Sequence, residues 1–199
     1  VAIFRNGIRK ILPSNINLLS GPGCPVCVTP ISYIDEIIAL SREEGFIITT
    51  FGDMIRVPGS TSTLEKEKTD RADIRIVYST LDALKIAQNN FSKEVVFMGV
   101  GFETTSPTIA SAVLKAQKDE INNFSVLSVA KIMPPAMKAL LEGKEVNIDG
   151  FICPGHVSAI IGSQPYNFIT TQYKIPCVIC GFEPLDILQS IYMLVKQIE

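Results

Sequence analysis

Two cysteines three residues apart dominate the chemistry legible in this sequence. They stand in Gly-Pro-Gly-Cys-Pro-Val-Cys-Val (21–28), where two glycines and two prolines build a turn suited to exposure. A C-x-x-C turn lets the Cys24 and Cys27 sulfurs come within reach of a disulfide bond or a shared metal. The turn reads as lying after a strand and before a helix, so the helix N-terminus is expected to lower the Cys24 pKa and favour thiolate. Two sulfurs do not close a tetrahedral zinc site. Redox or transient metal handling therefore fits better than structural zinc, unless other ligands arrive. The competing reading is a pair of small buried apolar side chains.

The other reactive side chains carry weaker signals. Cys177 and Cys180 repeat the spacing inside an expected strand, where residues three apart point to opposite faces, and they read as buried free thiols. Cys153, at the end of its own strand, is taken as structural. His156 is the only histidine, which excludes a multi-histidine metal site within this chain. Its place in Pro-Gly-His-Val (154–157), at a strand-to-helix junction, puts the ring at a loop edge; a structural histidine is the alternative. Asp53 and Arg56, in Phe-Gly-Asp-Met-Ile-Arg-Val-Pro-Gly (51–59), either pair with each other or leave Arg56 to hold an anion or a partner carboxylate. Glu103 and Glu183 each follow Gly-Phe at a helix start, where the dipole stabilises a carboxylate. As site residues they are acceptors facing a cleft. Gly99-x-Gly101 lacks the third glycine of a dinucleotide fingerprint, and neither G-x-x-x-x-G-K-[ST] nor G-x-S-x-G occurs.

The elements that must position these groups follow from composition and pattern. At roughly 150 residues per domain, a length of 199 residues predicts one to two domains. It is 47% hydrophobic and 19% charged, with a mean hydropathy of +0.29, which excludes disorder. A formal charge of −2 gives no electrostatic case for nucleic acid or anionic lipid. No apolar run approaches the roughly 18 residues of a membrane span, and no secretory leader is seen, so a cytoplasmic location is expected. Five cysteines are too few for a disulfide-stapled scaffold.

Short apolar runs at 17–20, 46–51, 74–78, 95–100, 125–130, 150–153 and 176–180 are too continuous for half-exposed antiparallel strands. Helical patterns at 3–12, 32–44, 81–89, 107–119, 135–141 and 184–198 separate most of them. The alternation predicts an α/β fold: two similar lobes with mainly parallel sheets flanked by helices, and strand-end loops facing a cleft. The lobes are expected at 1–90 and 91–173, with 174–199 adding a strand and a helix that pack back on the first. Thr105 and Thr80 are read as hydroxyl caps of the helices that follow them. The polar stretch 59–73 is the candidate mobile loop. Gly-Phe-Glu recurs at 101–103 and 181–183, each time between a strand and a helix, which suggests related sites on the two lobes. The pattern is already under way at Val1 and stops at Glu199 without a cap, as in a fragment.

Five motifs, in order, resemble the HypD family of hydrogenase maturation factors: 21–28, 51–59, Gly-Phe-Glu-Thr-Thr-Ser-Pro (101–107), Pro-Gly-His-Val-Ser (154–158) and Gly-Phe-Glu-Pro-Leu-Asp-Ile-Leu (181–188). The resemblance covers nearly the whole chain. It implies a scaffold that, with the small chaperone HypC, holds the iron on which the Fe(CN)₂CO group of [NiFe]-hydrogenase is assembled. It further implies that HypE donates the cyanide and that HypF acts upstream. Cys24 and Cys27 would be the redox thiols, relaying electrons between the assembly site and a [4Fe-4S] cluster held by a C-terminal region. Asp53, Arg56, Glu103, Thr104, Thr105, His156 and Glu183 would line the cleft, orienting diatomic ligands or meeting HypC. The family's Cys-Gly-Thr-His-Thr motif, source of the main candidate iron ligand, would precede Val1, and the cluster cysteines would follow Glu199. Neither is in this chain, so no tightly bound cofactor is expected here. The readings from other classes are a stand-alone thiol-disulfide oxidoreductase and a structural zinc protein.

Overall fold

Apolar runs rich in Val, Ile and Phe form the strands of two parallel sheets in the computed structural model, which describes residues 2–143 and 147–199. Contacts cluster into two units, Cys24–Lys131 and the pair of segments Val1–Gly23 with Ile132–Glu199.

In the first unit, β1 (Phe46–Thr50), β2 (Ile74–Ile76), β3 (Glu94–Gly99) and β4 (Phe124–Ser128) make one parallel sheet in the order β2-β1-β3-β4. The central strands are buried on both faces. Ile48, Val96 and Met98 pack on one side with Ile34, Ile37 and Ile38 of α3 (Ile31–Ser41). Ile47, Val95 and Phe97 face the other way, toward Ala83 and Ala87 of α5 (Thr80–Gln88) and Ile109 of α6 (Ser106–Lys118). Two-sided burial accounts for the unbroken apolar runs. Thr49 and Thr50 are buried without cost to the pattern because their hydroxyls donate to the Val96 and Met98 carbonyls at 3.2 and 3.4 Å. β1 pairs with β3 from Phe46↔Glu94 to Thr50↔Met98, so one sheet runs across residue 91, where the lobe boundary was expected.

Three local expectations change in this unit. The polar stretch 59–73 contains a helix, α4 (Leu64–Thr69), capped by the Thr63 hydroxyl, which accepts from the Lys66 amide at 3.1 Å. Leu64 is in the core, and buried Glu67 takes two hydrogen bonds from Arg42 at 2.7 and 2.9 Å. The helix α5 is capped by Ser79, not Thr80, and its hydroxyl accepts from the Leu81 amide at 3.1 Å. Thr105 precedes α6 without a capping bond from its side chain.

The second unit holds β5 (Phe151–Pro154) and β6 (Cys177–Cys180), paired in parallel from Phe151↔Cys177 to Pro154↔Cys180. Around them lie α1 (Ala2–Arg5), α2 (Ile8–Ile11), α7 (Met133–Glu142), α8 (Gly155–Ile161), α9 (Asn167–Gln172) and α10 (Pro184–Ile198). The expected helix at 3–12 is broken at Gly7, whose φ of 63° lies in the left-handed region. The expected strand at 17–20 has no ladder partner and is irregular. Ile8 of α2 packs with Ile187 and Ile191 of α10 and with Cys180. No described helix is long and apolar enough to cross a membrane.

Candidate functional site

Cys24 and Cys27 occupy a turn in which the Val28 amide donates to the Cys24 carbonyl at 3.2 Å and the Thr29 hydroxyl to the Pro25 carbonyl at 2.8 Å. The turn folds the second thiol back over the first. Cys27 Sγ donates to Cys24 Sγ at 2.8 Å, and the Cys27 amide donates to the same sulfur at 3.3 Å. Both thiols are free and exposed. The two donors hold the Cys24 thiol below its ordinary pKa, the S–H having the larger effect, while its bond to Cys24 pushes Cys27 up. The arrangement favours thiolate on Cys24 and the proton on Cys27. The expected cause was a helix N-terminus; α3 begins only at Ile31, and the donors belong to the turn itself.

Asp53 stands close enough for its charge to oppose the Cys24 thiolate. It reaches this place on the loop after β1, where the Met54 amide donates to the Phe51 carbonyl at 3.1 Å and buried Met54 and Ile55 tether the turn. Arg56 does not pair with Asp53. Its Nε donates to Glu65 Oε1 of α4 at 3.0 Å, in an exposed ion pair that leaves most of the guanidinium in solvent. The loop closes at Gly59, where a Cβ would run into Asp35 Oδ1 at 2.5 Å. That carboxylate accepts from the Ser60 amide and hydroxyl at 2.7 and 2.6 Å, bonds that hold Asp35 below the usual carboxylate range.

Glu103, Thr104 and Thr105 follow β3. Glu103 and Thr105 are half-buried and Thr104 is exposed. Gly101 is required here because a Cβ would collide with the Thr105 side chain. Phe102 of this first Gly-Phe-Glu is buried at 6% exposure, and its carbonyl accepts from the Thr105 amide at 2.9 Å.

In the other unit, His156 is the second residue of α8, directly after β5, and is exposed. Its ring stacks on Phe182, with centroids 4.4 Å apart and planes 29° apart. The contact exists because the carboxyl ends of β5 and β6 are neighbours: Pro154 pairs with Cys180, and Gly155 lies so close to the Cys180 carbonyl that a Cβ would overlap it. Glu183 is the N-cap of α10, exposed, with no capping bond from its side chain. The two Gly-Phe-Glu segments thus share a position in the chain and differ in role: Phe102 fills a core, whereas Phe182 is 52% exposed and carries the imidazole. Phe182 escaped the sequence reading; its signal was the repeated tripeptide, in which only the flanking residues drew notice.

Cys177 and Cys180 point to different surroundings, as a strand requires, with Cys180 in the core beside Ile187. Cys177 instead lies diagonally across the ladder from Cys153, and the interaction between the two thiols raises the Cys153 pKa and lowers that of Cys177. Among the described residues, no group of three or more His, Cys, Asp or Glu is arranged to hold a metal ion.

The fold and these sites define an α/β protein with a solvent-facing dithiol in a turn ahead of its first strand, the two sulfurs in hydrogen-bond contact. The family model HypD, described as the hydrogenase formation hypA family, matches residues 1–199, and the chain belongs to this family. It is 48% identical over 197 residues to the hydrogenase maturation factor HypD of Rhodobacter capsulatus, covering 99% of this chain and 52% of that protein. It is 46% identical over 196 residues to HypD of Escherichia coli K12, covering 98% and 52%. The same identity, with 98% and 54% covered, relates it to a putative hydrogenase expression/formation protein of Methanocaldococcus jannaschii. The chain spans about half the length of the curated relatives it matches.

Proposed function

We propose that this chain acts in hydrogenase maturation as part of a scaffold that works with HypC and HypE to assemble the Fe(CN)₂CO group, and that Cys24 and Cys27 are its redox thiols. The carrying observation is the Cys27 Sγ to Cys24 Sγ hydrogen bond at 2.8 Å in an exposed turn. The Cys24 thiolate attacks a disulfide presented by a partner, forming a mixed disulfide and releasing one partner thiolate. Cys27 then gives up its proton and attacks Cys24 Sγ, expelling the second partner thiolate. The pair has lost two electrons and the partner has gained them; the reverse sequence returns them. Asp53 tunes this by opposing negative charge on Cys24, which restrains the thiolate between turnovers.

The iron group is cargo in this reading, and the chain's own part is to bind and orient. The Arg56 guanidinium is available as a donor to a cyanide nitrogen or a partner carboxylate beyond its single bond to Glu65. Thr104 offers an exposed hydroxyl, while Glu103 and Thr105 flank it at the same strand end. His156 and Glu183 serve the same end, binding ligand or partner, on their own unit. A [4Fe-4S] cluster does not fit the residues here, because such a cluster takes four cysteine sulfurs and the exposed turn supplies two.

The test is complementation of a strain lacking the corresponding gene. The wild-type gene is expected to restore hydrogenase activity and to co-purify HypC. Cys24→Ala and Cys27→Ala are expected to lose the activity and keep the HypC association. Hydrogenase at wild-type levels in the double variant overturns the relay. Turnover of a generic disulfide by the purified protein, without HypC association, favours the stand-alone oxidoreductase instead.

A further inference from the structure

One face of the two-stranded sheet, opposite the one that carries Cys180 into the core, holds a feature that the Cys24–Cys27 reading leaves unused. The register Phe151↔Cys177 and Cys153↔Ile179 puts Cys153 and Cys177 on a diagonal of adjacent strands, with side chains on one face of the sheet. The two thiols act on each other, Cys153 being favoured as the protonated partner and Cys177 as the charged one. The surroundings of the two differ. Cys153 is 1% exposed, whereas Cys177 is half-buried, and its own thiol has only a long contact, 3.9 Å, to the Ile175 carbonyl. The shared proton favours thiolate on Cys177 and keeps Cys153 protonated. An oxidant arriving from solvent therefore meets the more nucleophilic and more accessible sulfur first, with a second thiol on the same face of the adjacent strand.

We propose that Cys153 and Cys177 form a second oxidisable thiol pair, which closes a disulfide between β5 and β6 when Cys177 meets a peroxide. The Cys177 thiolate attacks one peroxide oxygen, the O–O bond breaks, and water leaves with a proton from solvent, giving a sulfenic acid on Cys177. Cys153 then attacks the Cys177 sulfur, its proton leaving with the hydroxyl as a second water. Two thiols and one hydrogen peroxide become one disulfide and two waters, so atoms and electrons balance. Strands about 4.8 Å apart and an offset of two residues put such a diagonal at about 8 Å between Cα atoms, beyond the usual disulfide span, so closure has to draw the end of β5 toward the start of β6. His156 lies just past the end of β5, two residues beyond Pro154.

The experiment treats the natural protein with stoichiometric hydrogen peroxide, alkylates remaining thiols under denaturing conditions and maps the peptides without reduction. Cleavage after Lys174 separates Cys153 from Cys177, and tandem fragmentation separates Cys177 from Cys180. The expected product is a Cys153–Cys177 cross-linked peptide, lighter by two hydrogens, that becomes the majority species and disappears on dithiothreitol treatment. It is expected unchanged in the Cys24→Ser/Cys27→Ser variant, which separates it from the exposed pair. Three results overturn the proposal: Cys177 driven to sulfinic acid while Cys153 is alkylated, both thiols alkylated after peroxide, or a bridge that uses Cys180. The wild-type map decides the matter even where Cys153→Ser fails to fold.

Discussion

His156 rests on Phe182, ring on ring at 4.4 Å, the one in the first turn of α8 and the other in the segment after β6, each just past the carboxyl end of one of two adjacent parallel strands. An exposed imidazole on a flexible side chain samples several rotamers; an aromatic face beneath it selects among them, for about 0.5–1.5 kcal/mol in a pair of this kind. Phe182→Ala is expected to release the ring without unfolding the unit, since Phe182 is half in solvent. The measurement is the His156 imidazole proton shifts by NMR, which lose the ring-current displacement in Phe182→Ala and regain it in Phe182→Tyr. Unchanged shifts in Phe182→Ala would show that the stack does not position the histidine.

The same strand ends make a prediction about glycine. At Gly155 a Cβ overlaps the Cys180 carbonyl, and backbone yields less readily than a side chain. Gly155→Ala is expected to cost about 3 kcal/mol, the upper part of the overpacking range. That corresponds to a fall in melting temperature of about 6–12 °C for a protein of this size. At Gly23, beside the dithiol, a Cβ meets nothing within 4 Å. Gly23→Ala is expected to stay within about 0.5 kcal/mol. Thermal unfolding followed by circular dichroism compares the two; equal melting points would contradict the packing assigned to Gly155.

How far this could be read in advance depends on whether the cause was local. The runs around Ile47–Thr50 and Val95–Met98 announce strands because burial on both faces leaves no polar alternation to confuse them. The Cys24–Cys27 turn was legible because the prolines and glycines that build it are contiguous. What was missed depends on partners remote in sequence. Leu64–Thr69 looks like a solvated loop until Arg42 neutralises Glu67 and the core takes Leu64. The segment at 17–20 has strand composition and finds no edge to pair with. Cys153 and Cys177 lie 24 positions apart in sequence, and only the parallel register of β5 on β6 puts them on one diagonal.

The Arg42–Glu67 pair gives α4 a pH dependence whose sign is fixed. Two hydrogen bonds from the guanidinium lower the Glu67 carboxyl from its ordinary 4.5 to about 2. The folded protein therefore holds the charge in a range where the unfolded chain takes up a proton. Stability from this group is complete above the unfolded value and is lost as the pH falls through the folded one. Glu67→Gln is expected to cost about 1–2 kcal/mol at neutral pH, as for hydrogen bonds to a charged group whose partner is half exposed. Urea unfolding across the range from neutral pH to about pH 3 should show the gap between wild type and variant closing at the acid end. A gap that stays constant with pH would mean that the contact does not depend on the carboxylate charge.

The dithiol makes a prediction that needs no partner protein. In the reduced protein, Cys24 is stabilised as thiolate by the Cys27 S–H and, to a smaller degree, by the Cys27 amide. Iodoacetamide should therefore label Cys24 before Cys27, with a midpoint on the acid side of an ordinary thiol. Cys27→Ala removes the S–H and retains the amide, so the Cys24 midpoint moves up only part of the way. Labelling of Cys24 at neutral pH is expected to slow in this variant, several-fold at most because the amide donor remains. Asp53→Asn acts in the opposite direction. Removing a negative charge that opposes the thiolate lowers the midpoint and speeds labelling, by about twofold, because this is the weakest of the influences on Cys24. Rates are read by mass spectrometry across a pH series. Faster labelling of Cys27 than of Cys24 would reverse the assigned roles, and slower labelling in Asp53→Asn would place the Asp53 carboxylate elsewhere than beside the reactive sulfur.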